Sequence, residues 1–300
     1  MARVSILIPA YHERFFGEAF ESARAQTDAS IEILVCDDSP DRAIEDRVAA
    51  ARDPRVRYLR NNPRRGFEGN FTFALSEARG ELVKFLNDDD RLRPACVAHL
   101  AAAFDDDPRV TLATSRRAVI DSGGLMKTDL PATMPVSYAT CTIDGFEMGN
   151  LALVNGLNLI GEPTTAMFRK RDVQVEAGGL FTWNGRSYHC LADLSLWLRL
   201  MARGRAHYCA NVLSEYRVHP GQAQRGGDMG LDFITERLDL ARSARDAGYL
   251  AQPMQYRTAL ERIQALASAW DRRPGLGPAQ HEELAAFSRK VAAALAALPA

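Results

Sequence analysis

GELVKFLNDDD, residues 80–90, carries the largely apolar run Leu82–Leu86 straight into Asn87-Asp88-Asp89-Asp90. A short apolar run that stops abruptly reads as a strand buried on both faces, the kind found in parallel sheets. Acids just past the end of such a strand lie where open α/β sheets bind their ligands. Adjacent carboxylates repel one another, and a divalent cation bound through hard oxygen ligands reverses that cost. The competing reading is a solvated turn ahead of Pro94. On this segment alone the two are balanced.

Working outward, the pattern repeats. Val4–Ile8 is a buried run stopped by Pro9, and Ile31–Cys36 ends on Asp37-Asp38-Ser39-Pro40. Between them Phe16, Ala19, Phe20 and Ala23 recur at helical spacing. Ala43–Ala51 predicts a helix, Val56–Leu59 a short strand, and Phe67–Arg79 a helix stopped by Gly80. Pro94 suits the first turn of a helix over Pro94–Phe104. This alternation through about residue 105 predicts a Rossmann-like α/β fold, a mostly parallel sheet with helices on both faces.

Farther on, Val110 to Met126 reads as short strands about a turn at Asp121-Ser122-Gly123-Gly124. A helix near Asp144–Val154, a strand Thr164–Arg169, a helix Leu191–Arg203 and a strand Ala206–Tyr216 follow. Past Gly226-Gly227 the chain is helical, over Leu231–Ala247, Pro253–Trp270 and an Ala-rich end. The expected division is a main domain 1–225, in halves 1–105 and 106–225, and a helical appendage 226–300. Phe233, Ile234, Leu238, Ile263, Leu266 and Trp270 give the appendage an apolar face. Packing against the main domain is the expectation, ahead of a homodimer contact or a membrane surface.

Composition narrows the function. A net charge of -1 supplies no footprint for nucleic acid, whose non-specific binding rests on clustered Lys and Arg. The 5 cysteines are scattered without a CxxC pair, which argues against a disulfide framework or a zinc site and for a reducing cytoplasm. No apolar run approaches the roughly 20 residues of a transmembrane helix. The expected protein is cytoplasmic, with peripheral membrane contact left open.

Six segments appear in one order: SILIPAYHER, EILVCDDSPD, NNPRRGFEGNFTFALSEARGELVKFLNDDD, GEPTTAMFR, ADLSLWLRL and SEYRVHPGQ. Together, over roughly residues 3–222, they resemble the inverting family 2 glycosyltransferases of the GT-A fold. The resemblance implies transfer of a sugar from a nucleotide diphosphate, UDP or dTDP, to an acceptor hydroxyl. The acceptor could be a glycan, a lipid-linked glycan or a protein. It also implies Mn2+ or Mg2+ as cofactor.

Carried over by position, Pro9, Ala10, Tyr11, Glu13, Asp37, Asp38, Gly66, Asn70 and Asp88 belong to the nucleotide pocket. Asp89 is the implied metal ligand, and Asn87 and Asp90 lie toward the donor sugar and diphosphate. Read from its own chemistry, His219 suits the same cation as a neutral imidazole, and Arg217 can neutralise diphosphate charge. Asp193 is the implied catalytic base. Two positions depart from the family pattern: Asn87 stands where an Asp is common, and Ala192 precedes Asp193 where a Glu is usual.

Taken singly these residues have plain readings. Asp38 or Ser39 suits an Asx-type turn, Tyr11 packing, and Asp193 the favourable start of a helix. Alternation along Tyr216-Arg217-Val218-His219 puts Arg217 and His219 on one face. A nucleotidyltransferase would need a Gly-rich basic loop after the first strand, and a carboxylate phosphohydrolase an Asp at its end. Pro9-Ala10-Tyr11 fits neither. The remaining alternative is a catalytically weak nucleotide-sugar-binding module acting through its helical tail.

Overall fold

The protein, described here by a computed structural model, is defined over residues 2–28, 30–222 and 230–298. Its first half runs β1 (Val4–Ala10), α1 (Glu13–Arg24), β2 (Ile31–Asp37), α2 (Ala43–Ala51), β3 (Val56–Arg60), α3 (Gly66–Glu77) and β4 (Leu82–Phe85). Then come β5 (Arg91–Leu92), α4 (Cys96–Asp106), β6 (Val110–Ile120), β7 (Met126–Lys127), β8 (Cys141–Asp144), α5 (Gly145–Asn155) and β9 (Met167–Arg169). The chain continues through β10 (Thr182–Trp183), β11 (Arg186–Ser187), α6 (Ala192–Met201), β12 (Arg205–Arg217), α7 (Gly230–Asp246), α8 (Pro253–Asp271) and α9 (Pro278–Ala296).

The central sheet has the order β3-β2-β1-β4-β9-β6-β12-β5, with β7 on β6 and β8 on β12. β3, β2, β1 and β4 are mutually parallel, as the apolar runs predict. β9 runs against both β4 and β6, whereas β6 and β12 are again parallel. Among the long strands the direction is therefore uniform, interrupted by the short reversed β9. The end of β1 and the acid-bearing ends of β2 and β4 consequently open on one edge.

Side chains alternate across the sheet. Val4, Ile6 and Ile8 of β1 join a core with Phe16 and Phe20 of α1, Ile44 of α2 and Leu100 of α4. Leu7, Leu34 and Phe85 face the other way, into a core with Phe71, Met148 and Trp197. Ile234, Leu238, Tyr249, Leu260 and Ile263 of the C-terminal region are buried in that second core. The appendage thus packs on the α5–α6 side of the main domain, in line with the packing expected. The expected boundary at Gly226-Gly227 lies outside the described residues.

The segment 110–126 differs from expectation. Instead of several short strands it forms the 11-residue β6 and the brief β7. Polar side chains along β6 bond to the carbonyls of neighbouring segments. Thr111 Oγ1 donates to the Leu200 carbonyl at 2.8 Å and Thr114 Oγ1 to that of Ile160 at 2.6 Å. Gly80 also serves differently: a Cβ there would lie 2.6 Å from Ser5 N, so glycine is what lets the chain enter β4 tightly beside β1.

Candidate active site

At the ends of β1 and β2 a hydrogen-bonded frame builds one wall. Asp38 N donates to the Ala10 carbonyl at 2.9 Å, tying the two strand ends. The Asp38 carboxylate, 3% exposed, accepts from Arg65 N and Gly66 N at 2.8 Å each and from Asn61 Nδ2 at 3.0 Å. It therefore satisfies amides at the start of α3, where a helix leaves its first donors unpaired. Gly66 holds φ +72 there, a left-handed conformation that favours glycine. Asn61 Nδ2 reaches Asn70 Oδ1 at 2.9 Å, and Asn70 Nδ2 donates to the Cys36 carbonyl at 2.9 Å. Asp37 is fully buried and accepts from Ser39 N, Tyr58 Oη and Arg60 Nη1. Facing this frame, the half-exposed Tyr11 ring carries the Arg64 guanidinium 4.5 Å from its centroid. Pro9 is the penultimate residue of β1, and Glu13 is exposed in the first turn of α1.

A second wall follows β4. Asp88 Oδ2 accepts from Tyr11 N and His12 N at 2.7 Å each, fastening the acid cluster to the end of β1. Loss of solvent pushes the Asp88 carboxyl above the ordinary range against those bonds. Asp89 is raised to about 7 by burial and then by the neighbouring Asp88. Asp90, 1% exposed, is likewise raised well above the ordinary range by burial and by Asp89. It accepts from Thr164 Oγ1 at 2.6 Å, Arg217 N at 2.9 Å and Asn87 Nδ2 at 3.2 Å. Thr164 is itself anchored by its carbonyl to the wholly buried Lys84 Nζ. His219 Nε2 lies 3.2 Å from Asp89 Oδ2. The Phe15 ring backs both His219, at 4.8 Å between centroids, and the Arg217 guanidinium at 4.5 Å.

The third wall is the start of α6. Asp193 Oδ2 accepts from Asn158 Nδ2 at 2.8 Å, and Oδ1 from Leu194 N at 2.7 Å. Asn158 is pinned in turn by Gly161, whose amide donates to Asn158 Oδ1 and whose carbonyl accepts from Trp197 Nε1. Burial, then the negative charge of Glu162, raises the Asp193 carboxyl to about 7. Arg117, Asn158 and the Leu194 amide oppose the shift. Glu162 pairs with the buried Arg117 at 2.8 Å. The same Glu162 charge raises Asp89 and Asp90, so it lies in electrostatic reach of both acid groups.

All the residues implied by the resemblance collect on this edge, in different states of engagement. Asp38, Asn70 and Gly66 form a frame, and Asp89, His219 and Asp193 present titratable groups. Arg217 differs from expectation. It is fully buried, and its guanidinium donates to the Asp89 carbonyl, the Asp121 carbonyl and Glu18. Those bonds hold the acid turn in place and leave the guanidinium committed to protein partners. Asp90 is likewise occupied by Thr164, Asn87 and Arg217.

Sequence reasoning passed over Asn61, Arg64, Thr164, Asn158 and Arg117. Asn61 and Arg64 stand in the quoted NNPRRGFEGN segment, whose polar density was a signal. Asn158 and Arg117 carried none, because their roles depend on partners far away in the chain. Among the described residues no three His, Cys, Asp or Glu side chains gather as a closed metal cage. A carboxylate beside an imidazole still fits a cation that shares phosphate oxygens and water.

Comparison with known proteins bears on this geometry. The glycosyl transferase family 2 model matches residues 5–175. An uncharacterised protein of Mycobacterium tuberculosis is 32% identical over 220 residues, 71% of this chain and 66% of that protein. The UDP-Glc:alpha-D-GlcNAc-diphosphoundecaprenol beta-1,3-glucosyltransferase WfaP of Escherichia coli is 37% identical over 91 residues, 30% of this chain and 36% of its own length. The chain thus spans about two thirds of the first relative and about a third of the second. Among solved structures, S. aureus TarS 1-349 in complex with UDP-GlcNAc superposes with a TM-score of 0.59 at 15% identity, over 97% of this chain and 89% of that one. That likeness establishes the GT-A fold.

Proposed function

The chain belongs to glycosyl transferase family 2, and on that premise we propose that it moves a sugar from UDP or dTDP to an acceptor hydroxyl with inversion. The observation that carries the reading is Asp193: a carboxyl aimed by Asn158 and held near about 7, where a general base works at neutral pH. In the proposed step the acceptor oxygen bonds to the anomeric carbon while the bond from that carbon to the diphosphate oxygen breaks. Asp193 takes the hydroxyl proton, and the nucleoside diphosphate leaves from the opposite face. The Asp38–Asn61–Asn70 frame and Tyr11 with Arg64 would seat the nucleotide. Glu13, Pro9, Ala10, Asp37 and Asp88 shape that pocket.

Asp89 and His219 would hold Mn2+ or Mg2+, with Asn87 nearby. Such a cation, when bound, neutralises charge on the departing diphosphate. Residues 1–225 would do the transfer, with the donor in 1–105 and the acceptor in 106–225. Relatives with UDP-Glc and diphosphoundecaprenol in their names support a uridine donor and a lipid-linked glycan acceptor in bacterial glycan synthesis. The five free cysteines suit a cytoplasmic site of action. No described helix is long and apolar enough to cross a membrane, and peripheral contact would bring a lipid-borne acceptor to the site.

The test is nucleoside diphosphate release from a panel of UDP- and dTDP-sugars, with wild type and Asp193→Asn. The variant keeps shape but cannot take a proton. Turnover is expected to fall by roughly 100-fold or more with nucleoside diphosphate affinity unchanged. Near-normal turnover with weakened binding would remove Asp193 as the base and bring Glu162 forward.

A further inference from the structure

Helix α7 belongs to the C-terminal region that the family match, ending at residue 175, does not reach. Its Glu236 is 5% exposed and points into the main domain. One oxygen accepts from His189 N at 2.9 Å, and the other from Cys190 N and Leu191 N, both at 2.9 Å. Three successive amides thus end on a single carboxylate. They are the residues that lead into α6, and Leu191, at the helix's N-cap position, has no side-chain cap of its own. Asp193 follows two residues later. A negative group at this point also suits the positive end of the helix.

Arg237, the next residue, holds the other side. Its Nη1 donates to the Gly156 carbonyl at 2.6 Å. Gly156 ends α5 in a left-handed conformation, φ 64, and the chain turns there toward Asn158. Asn158 is the side chain that grips Asp193 Oδ2. Two further contacts repeat along the helix: Asp239 pairs with Arg186 at 2.6 Å, and Ser243 Oγ meets Tyr188 Oη at 3.1 Å. Residues 236, 239 and 243 fall on one helical face, so α7 grips the segment before α6 at three levels.

We propose that Glu236 and Arg237 are positioning residues for transfer, fixing Asp193 through the 189–191 backbone and through the turn that carries Asn158. The proposal rests on the reading of Asp193 as the base. It makes the C-terminal helices part of the working site, since a displacement of about 1 Å in a catalytic group can cost roughly 100-fold in rate.

The test compares Glu236→Gln, Arg237→Met, Asp193→Asn and the Glu236→Gln/Asp193→Asn pair, using the UDP- or dTDP-sugar that wild type turns over fastest. Gln keeps the volume and one acceptor oxygen, and Met keeps the apolar stem, so both variants are expected to fold. Either single change should lower kcat by roughly tenfold or more while the donor KM and UDP affinity stay within about twofold. The acidic limb of the kcat profile, set by Asp193 among Glu162, Arg117, Asn158 and the Leu194 amide, should move to lower pH as water reaches the loosened carboxyl. In the Asp193→Asn background Glu236→Gln should cost nothing more, because the group it positions is already gone. Unchanged kcat and pH profile, a loss confined to donor KM, or full additivity in the double variant would each overturn the proposal while leaving the base intact. Asp193→Asn with wild-type turnover would overturn the base reading, and this inference with it.

Discussion

His219 and Asp89, 130 positions apart, meet with Nε2 of the ring 3.2 Å from Oδ2 of the carboxylate. The contact exists because β12 delivers His219 alongside the turn that follows β4, and Phe15 holds the ring there. A buried carboxyl already raised by its neighbour Asp88 gains most from a nearby positive charge. Turnover is expected to require a divalent cation, to vanish in Asp89→Ala and to fall in His219→Ala. Asn87→Ala should have a milder effect, since an amide is at best an auxiliary ligand. Assay in excess chelator, with Mn2+ or Mg2+ restored afterwards, checks this. Full turnover in chelator would sink the metal assignment.

Asp38 gathers three donors, Arg65 N, Gly66 N and Asn61 Nδ2, at the entry to α3. Asp38→Ala leaves them without an acceptor and releases the loop that carries Arg64. UDP affinity should weaken by about 1–3 kcal/mol, the cost of a lost charged hydrogen bond, and the melting temperature should fall as well. Calorimetry giving wild-type UDP affinity would take Asp38 out of the pocket.

The parallel half of the sheet is legible because its strands are buried on both faces and stop at acids. The length of β6 is not, since Thr111, Thr114 and Arg117 interrupt its apolar run and their carbonyl partners, Leu200, Ile160 and Ala132, lie elsewhere in the chain. The same limit hides Asn158 and Glu236, whose roles come from contacts 35 and 45–47 positions away. Arg217 is legible as a basic residue at a strand end. That its guanidinium is spent on Glu18 and two carbonyls depends on α1 passing over it, which local pattern does not reveal. Asp193 is legible through the family resemblance, because its local pattern alone favours a plain helix-start carboxylate.

The fit of the C-terminal helices gives a prediction whose sign is informative. Gly149 lies within α5, where Gly→Ala ordinarily gains about 1 kcal/mol of helix propensity. Here a Cβ would sit 2.3 Å from Tyr249 Cε1 and 2.8 Å from Leu198 Cδ2. Tyr249 is fully buried and its hydroxyl donates to the Leu198 carbonyl at 2.7 Å, so the ring has little room to retreat. Gly149→Ala is expected to destabilise by about 1–3 kcal/mol, the usual cost of overpacking. Denaturant unfolding checks it, and a stabilised variant would mean that α5 does not pack this closely on Tyr249.

A buried carboxyl carries a stability cost that can be measured without substrate. The Asp193 carboxyl is raised from 3.8 to about 7, so between those values the folded protein keeps a proton that the unfolded chain has lost. Stability attributable to this group therefore falls as pH rises through that window, and the penalty stays constant above it. Asp193→Asn removes the charge and keeps the shape. Relative to wild type the variant should be more stable at pH 8, by at most a few kcal/mol given about 1.4 kcal/mol per pKa unit. The gain should shrink steadily as pH falls toward 4, where wild-type Asp193 is protonated in both states. Melting temperatures of the two proteins across this range give the difference directly. A variant equally destabilised at both ends would mean that the Asp193 carboxylate supports the fold through its hydrogen bonds to Asn158 and Leu194, and that its buried charge costs the protein nothing.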